Sequence, residues 1–71
     1  MNPQDAVFDK LSPKVGLSIV HLYRELGGVI SLVDVKQAIK QMIKDGIVTS
    51  KVEGIIPVYF SIEGKHGKAK G

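Results

Sequence analysis

The chain has 71 residues, 44% of them hydrophobic, no cysteine and a formal net charge of +3. That composition suits one small folded domain and excludes a disordered chain, a disulfide scaffold, a thiol nucleophile and a cysteine-based zinc site. Its apolar runs fall far short of the roughly 20 residues of a membrane span. The polar start MNPQDAVFDK is no signal peptide, so a cytoplasmic protein without membrane contact is expected.

The net charge needs dividing. Three of the ten basic residues, Lys65, Lys68 and Lys70, lie in the final GKHGKAKG, and residues 1–63 hold the other seven against all seven acidic ones. The body is neutral, and the pI of 9.3 reports the tail. Within the body, residues 32–51 carry four lysines against Asp34 and Asp45. This is a local basic excess, not a broad basic field.

Residues 3–11, PQDAVFDKL, predict a short helix. Pro3 suits its first position, and Ala6, Val7, Phe8 and Leu11 give it an apolar patch. Ser12-Pro13 reads as the start of a second helix, with Ser as N-cap. Val15, Ile19, Leu22, Tyr23 and Leu26 would form its apolar face and Gly27-Gly28 its end. Leu17 and Val20 fall off that stripe, which would bury the helix on two sides. Gly16 inside a helix costs about 1 kcal/mol against Ala, and a close helix–helix approach would account for it. Val29-Ile30 form either a short strand or an extended turn.

SLVDVKQAIKQMIKDG, residues 31–46, predicts the best-marked helix. Ser31 followed by Asp34 is a capping-box pattern, and Gly46 sits where a left-handed cap would end it. Leu32, Val35, Ile39, Met42 and Ile43 fall on one side, with Ala38 at its edge. Lys36, Lys40 and Lys44 run along the opposite side with Gln37 and Gln41 beside them. Cations and amides of this kind suit phosphates and base edges. On most helices, a Lys/Gln face is simply solvated.

The period then changes to alternation. IVTSKV (47–52) and IPVYFSIE (56–63) read as strands joined by a turn at Glu53-Gly54. Val58, Phe60 and Ile62 share one face, with Phe60 assigned to the core. Tyr59 and Ser61 take the other. Pro57 marks the start of pairing, a bulge or an edge. Residues 64–71 read as a disordered basic tail.

Helices, a helix with an outward polar face, then a hairpin: this order resembles the winged helix-turn-helix superfamily, a mainly α fold with a small antiparallel β-hairpin (α+β). LYRELGG followed by SLVDVKQAIKQMIKDGIV is similar to its second helix, turn and recognition helix. KQMIKDGIV resembles the passage from that helix into the first wing strand, and PVYFSIEGK the second. The resemblance covers about residues 12–63, and its motifs are degenerate enough to mark a superfamily and no particular member.

The resemblance implies double-stranded DNA as partner, with helix 31–45 in the major groove and hairpin 47–62 as the wing. It makes Lys36, Gln37, Lys40 and Gln41 the base-facing candidates, with Ser31, Lys44 and Lys51 on phosphates. A transcriptional regulator is the implied role. A homodimer reading two half-sites is consistent with so small a module, with Val7, Phe8, Ile55 and Ile56 as contact candidates.

The wing tip departs from the pattern. Glu53, Ile55 and Ile56 stand where many DNA-reading wings carry Arg or Lys. The alternative reading is therefore a protein-interaction module, an adaptor or assembly subunit docking a protein partner through that apolar wing.

No paired carboxylates, Ser-His pair or phosphate-binding loop stands out, so no enzyme, cofactor or metal is expected. His21 reads as a partly exposed helix residue, and His66 belongs to the tail.

Overall fold

The computed structural model describes residues 2–62, in the order α1 (Pro3–Lys10), α2 (Ile19–Glu25), α3 (Leu32–Lys44), β1 (Val48–Glu53) and β2 (Ile56–Ser61). The expected tail, 64–71, lies outside the described residues. Three helices and a two-stranded antiparallel hairpin make a small α+β fold.

α3 packs against α1, α2 and β1. Its Val35, Ala38, Ile39 and Met42 are buried with Val7, Leu11, Leu22, Ile30 and Val48. Every element except β2 gives the cluster at least one fully enclosed side chain, and Tyr59 of β2 packs on it from outside. Truncating Leu22 or Met42 to Ala would cost about 2–5 kcal/mol, since neither has any solvent exposure to relax into.

The expected α1 is present, with Pro3 at its start and Asn2 as N-cap accepting from the Gln4 N–H at 2.9 Å. Val7 is 0% exposed at the centre of the core, and Phe8 is half-buried against it. Val7 is therefore no dimer contact: the helix turns it inward to meet α3, and a partner cannot reach it.

α2 starts six residues later than Ser12-Pro13 suggested. The Ser12 hydroxyl accepts from the Lys14 N–H at 3.0 Å, closing a local turn and starting no helix. Ser18 is the N-cap instead, accepting from the His21 N–H at 3.2 Å. Between them the chain bends over residues 13–15, and Leu17 then exchanges two backbone hydrogen bonds with Tyr59, at 3.1 and 2.9 Å. Gly16 explains the choice. A Cβ there would lie 2.7 Å from the Phe60 ring and 2.8 Å from a Val58 methyl. The close approach is to β2, not to another helix, and only glycine lets the backbone lie so near that strand. Val15, expected on the apolar face, is consequently exposed.

Leu17 forms an isolated bridge beside β2, and the sheet itself has two strands. Val29-Ile30 form no strand. They are bends that carry Ile30 into the core.

α2 and α3 end alike. Gly27 donates to the Arg24 carbonyl and Gly28 to the Tyr23 carbonyl. Gly46 donates to Ile43 and Ile47 to Met42, both at 3.0 Å. Each is the paired 5→2 and 6→1 bonding of a Schellman cap, with Gly27 and Gly46 at the positive φ that it requires.

The hairpin pairs Val48 with Ser61 through to Glu53 with Ile56, leaving Gly54-Ile55 as a two-residue turn. Gly54 has φ +70° and Ile55 a negative φ, the φ signs of a type II′ turn. The register sets which side chains share a face. Val48, Ser50 and Val52 share the helix-facing side with Tyr59 and Ser61, while Thr49, Lys51, Val58 and Phe60 face away. The assignment of Phe60 to the core is thus reversed: Tyr59 packs on the core, and Phe60 is half-buried beneath Gly16 on the far face.

Candidate nucleic-acid interface

The candidate surface is the outer face of α3. Ser31 starts the helix as expected, its Oγ accepting from the Asp34 N–H at 3.1 Å. Serine at this position contributes about 1 kcal/mol. With the Schellman cap closing the other end, both ends of the face are fixed.

Successive residues rotate by about 100° around the axis. With Val35, Ala38, Ile39 and Met42 inward, the outward direction lies between Val33 and Lys44. Lys36 and Lys40 flank it on one side and Gln37 on the other. All five are exposed. Ala38, at the edge of the stripe as expected, is buried, while Leu32 and Ile43 lie at the opposite rim and are partly exposed.

The electrostatics of the helix are asymmetric. Asp34 and Asp45 project toward the α1 side, away from the three lysines. Gln41 lies on that side too, and its Nε2 donates to the Asp45 Oδ1 at 3.0 Å. With Asn2, Pro3, Gln4 and Asp34 it borders a shallow depression. Gln37 borders both this depression and the lysine side of the helix, so the expected base-facing residues form one exposed band, in which the Gln41 amide is engaged by Asp45.

Lys36, Lys40 and Lys44 have no ion-pair partner among the described residues. On the exposed side of α2, His21 Nε2 lies 3.6 Å from the Glu25 carboxylate.

Beside the crest runs a groove of about 410 Å³, lined by Ile19, Val33, Lys36, Gln37, Ile39, Lys40, Ile43 and Tyr59. Its floor is apolar and its α3 rim is cationic. Ser31 stands exposed at the helix start. Its oxygen already accepts one bond, and its O–H remains free to donate to an anion.

Lys51 does not join this group. The strand register turns it to the sheet face that looks away from the helices, where it borders a shallow recess with Pro13, Thr49 and Phe60. At the hairpin tip Ile55 is 93% exposed, with Ile56 and Val52 also exposed. This leaves the tip apolar on the surface.

Two residues of the site escaped the sequence reading. Val33 stands at the centre of the exposed crest, 62% exposed; helical spacing alone would have placed it between the lysines. Tyr59 borders the groove because the strand pairing turns it toward the helices, and alternation by itself does not say which face is which.

Among the described residues, no helix is long and apolar enough to cross a membrane, and no cluster of three or more His, Cys, Asp or Glu is placed to hold a metal ion. The chain matches no family model, no curated protein and no solved structure.

Proposed function

We propose that this protein is a small winged-helix module that binds double-stranded DNA, with α3 in the major groove, and acts as a transcriptional regulator by occupying or recruiting at a site. The observation that carries this is the crest of α3. Among the described residues, three lysines without an ion-pair partner share the exposed crest of α3, with Gln37 beside them and the carboxylates of Asp34 and Asp45 off that crest. A solvated face has no need of that segregation, whereas a surface that meets phosphates does.

The chain order supports the winged-helix part of the reading. Leu17 precedes α2 and bridges to the second hairpin strand, at the point in the chain where the superfamily pattern has its first strand. Lys36, Lys40, Lys44 and Ser31 are assigned to phosphates and groove edges, and Gln37 to a base edge. A second copy on an adjacent half-site would raise the affinity of so small a module.

The test is a fluorescence anisotropy titration of duplex DNA over a range of salt concentrations. Three phosphate contacts from the crest predict a log–log salt slope of about −2.7. The double variant Lys36→Glu/Lys40→Glu should lose about two-thirds of that slope. An unchanged slope and affinity in the folded variant would refute the groove assignment.

One observation favours a second reading. Ile55, 93% exposed at the tip of a hairpin, is an anchor that protein partners use and phosphates do not. On that reading the module docks a protein through Ile55 and Ile56, and the α3 face is merely solvated.

A further inference from the structure

We propose that Val33 reads the 5-methyl group of thymine, so that α3 selects a thymine-bearing step through Val33 and Gln37 together. This rests on the DNA reading above and deepens it from duplex DNA in general to a class of sequence.

Val33 is one of several exposed apolar residues, and the one that stands at the centre of the α3 crest. It is 62% exposed, in the first turn of α3 and on the line pointing straight away from the core. A β-branched residue is a weaker helix former than Lys, Gln or Glu, and an apolar one gains nothing from water. The core does not need it, since Val35, Ala38, Ile39 and Met42 already fill the inward face. Stability therefore does not account for valine at this position.

Its neighbours suggest what does. Residues three and four apart on a helix sit about 5–6 Å apart. Lys36 and Gln37 hold those places relative to Val33, and Lys40 follows one turn on. All three are exposed and line the same groove as Val33. Val33 thus stands between two cations and an amide on one side and the apolar floor of the groove on the other, a surface that can settle on a polyanion and still keep a dry contact.

The major groove offers one apolar group for such a contact, the thymine methyl, which cytosine lacks. Residues near the start of a groove-inserted helix are the ones that reach base edges. Gln37 makes no hydrogen bond among the described residues, unlike Gln41, which is held by Asp45. Its amide is free to pair with the N6 and N7 edge of adenine. Val33 and Gln37 together fit a step that contains A·T pairs.

The experiment uses the full chain. Bound duplexes are selected from a random pool, and each thymine of the recovered site is then replaced by deoxyuridine, which removes the methyl group and nothing else. Replacement at one thymine should weaken binding about fivefold, the scale of one buried methyl group. The same replacement should have no effect on Val33→Ser, a substitution at an exposed helix position that the fold tolerates. Recovered sites without a common thymine, or an equal loss for both proteins, would overturn the inference and leave DNA binding standing. Failure to recover any duplex would overturn both.

Discussion

The crest of α3 and the tip of the hairpin both face solvent, but they are prepared for different encounters. The crest is cationic and its helix is fixed at both ends, by the Ser31 cap and the Schellman bonds at Gly46. The tip is a two-residue turn whose exposed side chains are isoleucines. Lysines meeting phosphates release counterions and need little burial, while isoleucines gain only what they bury. Two adjoining surfaces of one small molecule can therefore serve different partners, and each can be altered without disturbing the other.

The largest expected effect tests the crest. Lys36→Glu/Lys40→Glu should weaken duplex binding roughly a hundredfold or more, since each charged contact contributes about 1.5–3 kcal/mol. Thermal unfolding should be unchanged within a few degrees, because both side chains are exposed. Lys51→Glu should lose no more than about threefold, because the strand turns it to the other sheet face. Equal losses would mean that the contact surface is the whole basic excess and not the crest.

The next effect concerns the scaffold behind both regions. Gly16→Ala should destabilise the fold by about 1–3 kcal/mol in denaturant unfolding, through the clash with Phe60 and Val58. Phe60→Leu should recover part of this in a double-mutant cycle. Independent, additive losses would contradict the close packing of residue 16 on β2.

Ser31→Ala should cost about 1 kcal/mol in stability by removing the N-cap. A fall in DNA affinity per folded molecule would add a phosphate contact from its free O–H. The smallest effect is expected at the tip. Ile55→Asp should leave duplex affinity of the single module within about twofold, read by anisotropy. A large loss of affinity would place the tip on the DNA. Altered self-association or partner capture, with duplex binding absent, would favour the protein-docking reading.

Much of α3 was legible because its signals are local. Cap, periodicity and left-handed glycine all lie within residues 31–46, and each found its place. The region before α2 was not, because its determinant is distant. Ser12-Pro13 is a sound helix start by local chemistry, but Gly16 meets β2 more than 40 residues away in sequence, and the backbone pairing of Leu17 with Tyr59 prevails. The same distance effect hid the faces of the hairpin. Alternation separates Tyr59 from Phe60, but only the contact of β1 with α3 decides which of them turns inward. Of the candidate site, the α3 lysines were readable from spacing alone, and the face of Lys51 was not. That the Gln41 amide is engaged by Asp45 one turn away was not either, because spacing does not say which neighbour an exposed amide takes. Val7 was misread as surface because a short helix does not reveal which side its neighbours will cover.

The measurement that bears most directly on the central claim is an amide NMR titration of the full chain with mixed-sequence duplex DNA at low and moderate salt. The account predicts shifts from Ser31 to Lys44, strongest between Val33 and Lys40, that weaken as salt rises. Shifts confined to Lys65–Gly71 or to Val52–Ile56, or no shifts at all, would contradict it.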